Sequence, residues 1–203
     1  MIIKRTVEYE VEPTLKSCNP EGIKGGAQWK VGDVIGFTLN DGEEVEAMAM
    51  KIEPDGTIFA LVDCIEEERP MMENGELVMR DYLDKELYNR FPKEITNMML
   101  PFENGNMLRL MTQKEVCGEN MYDAEEEDAS IEQFEPMKLR RNRIADIGKD
   151  SGEGAWYWLA NQTWLRDVAT ATYFALVTGD GDAGARNVSN SFGVRPAFRI
   201  QNL

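Results

Sequence analysis

Chemistry in this chain would fall to carboxylates, thiols and aromatic faces, because the sequence contains no histidine. That removes His-based triads, imidazole general bases and most zinc sites together. A carboxylate pair at Asp180 and Asp182 could in principle share acid and base roles. The surrounding stretch, Gly179-Asp180-Gly181-Asp182-Ala183-Gly184, reads more simply as a flexible hairpin turn. It fails the calcium-loop pattern, because a glycine falls at the third ligand position. The run Glu125-Glu126-Glu127-Asp128 is consecutive rather than alternating and does not form a calcium loop either. Cys18, Cys64 and Cys117 are scattered, odd in number and outside CxxC spacing. They suggest neither a disulfide framework nor a metal site. No catalytic residue, metal or cofactor is assigned, and the chain is not expected to be an enzyme.

Charge narrows the partners. The 203 residues carry 22 Lys plus Arg against 37 Asp plus Glu, a net charge of -15, which repels phosphate backbones at long range. Nucleic acid is therefore not an expected partner. No segment has the continuous apolar run of a membrane span, and Met1 to Glu10 lacks the apolar core of a signal peptide. The expectation is a cytoplasmic protein, or one assembled into a phage-like particle. After residue 153 the acids fall to Asp167, Asp180 and Asp182 and the bases to Arg166, Arg186, Arg195 and Arg199, while Trp156, Trp158 and Trp164 cluster there. The C-terminal quarter is chemically distinct.

These residues must be positioned by elements that the pattern predicts. Residues 1–30 read as a strand with Ile3, Val7, Tyr9 and Val11 alternating, followed by a Gly-rich loop; 31–203 read as one domain. Val34 to Leu39, Val45 to Ile52 and Ile58 to Val62, joined by Asn40-Asp41-Gly42 and Pro54-Asp55-Gly56, predict a three-stranded antiparallel meander. Met79, Tyr82, Leu83, Leu87 and Phe91 recur at helical spacing. A second short helix follows Pro92 through Leu100, Met107 to Met111 forms a short strand, and Thr112 with Glu115 makes a capping box. Residues 118–153 read as a solvated charged insertion whose opposite charges pair locally. Ala155 to Leu159, Thr172 to Val177 and Val194 to Ile200 are expected to share one antiparallel sheet.

Specific residues then match a known pattern. Trp158-Leu159 preceded by an aromatic, Tyr173-Phe174-Ala175-Leu176-Val177 leading to Gly179-Asp180-Gly181, and Gly193-Val194-Arg195-Pro196-Ala197-Phe198 resemble an uncharacterised bacterial and phage domain family. That family ends in a WWLRS-like strand, an AFV-type strand, a DG turn and GVRPA. The helix from Met79-Arg80-Asp81-Tyr82-Leu83 through Glu86-Leu87-Tyr88-Asn89 to Phe91 resembles its LRxxLNxxFYNxF segment, and Leu108 to Val116 its strand and capped helix. The resemblance implies an α+β fold with a C-type-lectin-like core of antiparallel sheets and short helices. Such a fold is distantly similar to formylglycine-generating enzymes, to phage receptor-binding tips and to the variable proteins of diversity-generating retroelements. In those variable proteins, positions between the WWLRS-like and GVRPA-like strands contact ligand. Formylglycine-type oxidation needs thiols in the active region, and no cysteine follows residue 117. One departure stands out: Ala160-Asn161 replaces the family's Arg-Ser.

The expected function is non-catalytic recognition of a protein or carbohydrate ligand by C-terminal loops. Rigid aromatics combined with adaptable amides and hydroxyls suit such a surface. Asn161, Gln162, Thr163, Trp164, Arg166 and Asp167 supply that mixture, and Asn187, Ser189 and Asn190 extend it; Trp164 is the expected anchor. Trp156, Tyr157 and Trp158 alternate faces on a strand, so at least one belongs to the core. Trp158, Gly193, Arg195 and Pro196 form the structural signature, with Arg195 placed to satisfy buried carbonyls. Dispersed methionines suit irregular core filling. The alternative is a structural phage or prophage component acting through self-assembly as a homo-oligomer.

Overall fold

The computed structural model describes residues 29–119, 130–148, 152–163 and 173–202. In chain order the strands are β1 (Val34–Thr38), β2 (Glu44–Ile52), β3 (Gly56–Leu61), β4 (Glu68–Pro70), β5 (Met72–Glu73) and β6 (Glu76–Leu77). Next come β7 (Met99–Leu100), β8 (Leu108–Leu110), β9 (Tyr157–Thr163), β10 (Tyr173–Val177), β11 (Ala183–Asn187), β12 (Ser191–Gly193) and β13 (Pro196–Gln201). One helix, α1, combines α-turns Met79–Asp81 and Tyr88–Arg90 around a π-helical stretch Tyr82–Leu87; α2 is Lys93–Thr96 and α3 Gln113–Cys117. The class is α+β, built mostly of antiparallel sheet. No described helix is long and apolar enough to cross a membrane.

The meander β1-β2-β3 forms as expected, with Phe37 opposite Val45 and Ala49 opposite Phe59. β13 adds to β3, pairing Phe198 with Phe59, and β7 and β8 complete that sheet on the far side of β13. The second sheet runs β11-β10-β9-β12-β4. The expected single C-terminal sheet is thus divided: β9 and β10 pair with each other, while β13 crosses to the N-terminal meander. Pro196 opens β13 and sits opposite Leu110.

The two sheets share two cores. Trp158, Phe174 and Leu176 pack with Ile35, Phe59, Leu61 and Phe198 on one side, together with Tyr82, Leu83, Leu87 and Phe91 from the apolar stripe of α1. Tyr157, Leu159, Ala175 and Val177 pack with Ile58, Ala60 and Ala197 on the other. Strands β3, β9 and β13 therefore bury both faces, which is why all six residues of β3 are buried. Met50, Met71, Met79, Met99, Met111 and Met137 are all in the interior, in keeping with methionine's capacity to fill irregular gaps.

Two expectations need correction. The helix after Pro92 ends at Thr96, and Met99–Leu100 is strand, because Met99 and Leu100 pair with Ile200 and Arg199 of β13. Residues 134–148 are woven into the fold rather than solvated: Phe134, Met137 and Ala145 close the second core, and Ile147 bridges to Cys64. Glu135 does pair locally with Lys138, but Arg140 reaches across to Asp182. The N-terminal strand and Gly-rich loop expected before residue 29 lie outside the described residues.

Candidate functional site

Trp156 immediately precedes β9, whose next two side chains are claimed by opposite cores. Tyr157 enters one and Trp158 the other, both fully buried, so Trp156 is the aromatic left half-buried at the rim. Its ring centroid lies 5.6 Å from that of Phe192 on β12, and Phe192 in turn sits 4.9 Å from Trp158 in an edge-on contact. The Arg186 guanidinium stands 4.5 Å from the Trp156 ring centroid, within cation–π range. Trp156 and Phe192 line a groove of about 600 Å³ whose other described walls are Glu68, Ile147, Glu153, Gly154 and Ala155.

The signature residues brace β9 and β12, the strands beside this groove. Gly193 N–H donates to the Trp156 carbonyl at 2.8 Å. A Cβ at Gly193 would stand 2.7 Å from Cys64 Sγ and 2.9 Å from Ile147 Cδ1, so the close packing requires glycine. Trp158 Nε1 donates to the Arg69 carbonyl at 2.7 Å. Arg195, 1% exposed, donates from Nε to Leu61 O at 2.7 Å and from its terminal nitrogens to Asn142 O at 3.1 Å and to Tyr157 Oη at 3.0 Å. A buried cation is tolerated here because three chain segments supply it with acceptors. Burial pushes both the Cys64 thiol and the Tyr157 hydroxyl up to about 12. Neither is poised for proton transfer or nucleophilic attack at neutral pH.

The residues singled out for binding fare differently from one another. Asn161 Oδ1 accepts from Gln113 N at 2.6 Å, joining the N-terminus of α3, where Thr112 and Glu115 form the expected capping box. Register shifts between β9 and β10 at this point, and Ala160 N donates to Met111 O at 2.9 Å. The dipeptide that departs from the family pattern thus ties the bulged β9 to β8 and α3. Gln162 and Thr163 lie opposite Phe174 and Tyr173, and Tyr173 also faces Asn187, so the bases of the two expected loops meet across β10. Asn187 Oδ1 accepts from Ser189 N at 3.0 Å and Ser189 Oγ at 2.8 Å, and Asn190 N donates to Asn187 O at 3.1 Å. That amide is spent on its own turn. Trp164, Arg166 and Asp167 lie outside the described residues. Asp180 and Asp182 do not act as an isolated acid pair: Arg140 donates to the Asp180 carbonyl and to the Asp182 carboxylate, each at 2.7 Å.

A larger depression of about 1170 Å³ lies between the β1–β2 turn and the end of α1, lined by Asp41, Gly42, Glu43, Glu44, Glu66, Glu67 and Arg90. Part of its charge is answered internally. Arg90 pairs with both Asp41 and Glu43, Glu66 N donates to Glu43 Oε1 at 2.8 Å, and Tyr82 Oη lies 3.3 Å from Glu67 Oε2. Burial alone would raise the Asp41 carboxyl, but the Arg90 hydrogen bond, the Glu43 backbone N–H and the Arg90 charge together outweigh it and hold that carboxyl below the usual range. The turn is further fastened by Asn40 Nδ2, which donates to the helix-terminal carbonyls Asn89 O at 2.9 Å and Phe91 O at 3.1 Å. This depression reads as a fastening between loop and helix, whereas the Trp156 groove presents half-buried aromatic surface beside carboxylates.

Residues 73–202 match a family described as a domain of unknown function (DUF6273). No curated protein and no solved structure matches the chain.

Proposed function

The chain belongs to this DUF6273 family, and we propose from that premise that it is a non-catalytic recognition module holding a protein or carbohydrate ligand against its C-terminal sheet. In this reading the two sheets are a C-type-lectin-like core of bacterial or phage origin, and the ligand seats in the Trp156–Phe192 groove. One observation carries it: a half-buried indole held against a phenyl ring at an open groove, rigid contact area that a ligand can cover at little entropic cost. In this reading the anchor is Trp156; Trp164, the anchor expected from the sequence, lies outside the described residues. Recognition would work by shape and charge complementarity on strands braced by Gly193, Trp158 and Arg195. Nothing in it calls for bond chemistry, since the nearest thiol and phenol are held protonated.

Intrinsic fluorescence of the full chain, screened against glycan and peptide pools, tests this reading. A saturable change that Trp156→Ala and Phe192→Leu both lose, with far-UV circular dichroism unchanged, is the expected result. A ligand whose signal survives both substitutions would move recognition elsewhere on the molecule.

A further inference from the structure

The chemistry of the groove's lining restricts what can occupy it. Among the described residues its polar side chains are the exposed Glu68 and Glu153, and the remainder are Ile147, Gly154, Ala155, Trp156 and Phe192. None of these described residues carries an amide or hydroxyl side chain. Ionised carboxylates only accept hydrogen bonds, so this wall suits a group that only donates. A sugar presents hydroxyls that must both give and receive, and here they would meet acceptors along an aromatic face. A lysine ammonium brings three donors and an arginine guanidinium five, none of them acceptors.

The aromatic half of the groove supplies packing surface rather than charge. The Arg186 guanidinium already lies 4.5 Å from the Trp156 ring centroid and takes that ring's cation–π attraction. Ile147, Ala155 and Phe192 offer apolar surface for the methylene stem of a long basic side chain, which buries its carbons while its charged end stays with the carboxylates. The net charge of -15 would speed the approach of a basic partner.

Resting on the groove reading above, we infer that the occupant is a lysine or arginine side chain of a protein partner, its charged end between Glu68 and Glu153 and its stem along Trp156 and Phe192. The test uses the full chain and four probes: blocked Gly-Gly-Lys-Gly-Gly, its Arg and Gln counterparts, and a neutral trisaccharide. The readout is the Trp156 indole N–H resonance, assigned by its disappearance in Trp156→Phe. The Lys and Arg peptides should shift it saturably, with affinity falling several-fold between low and physiological salt. Glu153→Gln should weaken the Lys peptide roughly three- to tenfold, and Glu68→Gln with Glu153→Gln together should weaken it further, each charge contact being worth on the order of a factor of ten at most. Equal response to the Gln peptide or to the trisaccharide would overturn the basic-side-chain inference and leave the groove standing. No shift with any probe, or a Lys response unaffected by both Glu substitutions and centred on Glu43 and Glu44, would overturn the inference and the groove reading together.

Discussion

Replacing Arg195 by methionine removes a guanidinium but little side-chain volume, and the structure indicates what is lost. Leu61 O and Asn142 O lose their Arg195 donors, while Tyr157 Oη keeps its own 2.8 Å bond to Arg143 O. Each buried carbonyl left unpaired costs about 1–3 kcal/mol, so two cost roughly 2–6 kcal/mol. Relief of the guanidinium's desolvation offsets part of this, leaving a net loss of about 3 kcal/mol. For a chain of this size with a urea m-value of about 2 kcal/mol/M, the unfolding midpoint should fall by about 1.5 M. Arg195→Lys should lie between the two, because one ammonium cannot reach Leu61 O, Asn142 O and Tyr157 Oη at once. Urea titration followed by circular dichroism reads all three proteins. A methionine variant within about 0.3 M of wild type, or a lysine variant less stable than it, would refute the claim that this arginine is a structural clamp.

Gly154→Ala should destabilise the chain by more than about 1–3 kcal/mol, since its Cβ would lie 2.3 Å from Gly179 O; a urea midpoint equal to wild type would contradict the close backbone approach that shapes the groove rim. Thr112→Ala should cost about 1 kcal/mol by removing the capping box of α3, with Thr112→Ser restoring most of it in the same titration. Alkaline stability should depend on Cys64. Burial raises that thiol from 9.0 to about 12, so the unfolded chain ionises first and stability is lost as pH rises through this window. At pH 10.5 wild type should have lost roughly 2 kcal/mol more than Cys64→Ala, relative to each protein at pH 7. Equal losses would show that the thiol is not sequestered.

The parts of the fold legible in the sequence are those whose signals are local. Val34 to Leu61 alternates between two Gly-containing turns, and the helix stripe from Met79 to Phe91 needs no partner to be recognised. Sheet membership is different in kind. β13 carries the same aromatic, β-branched pattern as β9 and β10, but its partner Phe59 lies far back in the chain, and nothing near Phe198 encodes that choice. The hairpin β5–β6 did leave a signature in Asn74-Gly75, whose φ values of +52° and +84° suit a tight two-residue turn; strands of two residues are too short to show alternation. The groove was half legible. Three successive aromatics announce that one must differ from the others, but identifying Trp156 as the outward one requires knowing that β9 is buried on both faces. Phe192 supplied no signal, because a single aromatic among Ser, Asn and Gly has no period.

That two-sided burial should make the groove stiff. A strand with one wet face can shift against its neighbours, but β9 is gripped by Trp158 in one core and by Tyr157 and Leu159 in the other, so a register slip would exchange both sets at once. Trp156 inherits this fixity from its neighbours in sequence, and Phe192 inherits it through its contact with Trp158. Gly193 then locks β12 to the start of β9 through the Trp156 carbonyl, and Arg195 binds the same layer to Leu61 and Asn142. The consequence is a groove whose shape is set by the core rather than by the loops around it. A ligand meeting such a surface orders few protein groups on arrival, so the free energy of covering Trp156 and Phe192 is retained as affinity. Loop residues such as Ser189 and Asn190 can vary without disturbing these strands, whereas substitutions at Gly193 or Arg195 should lower stability and binding together.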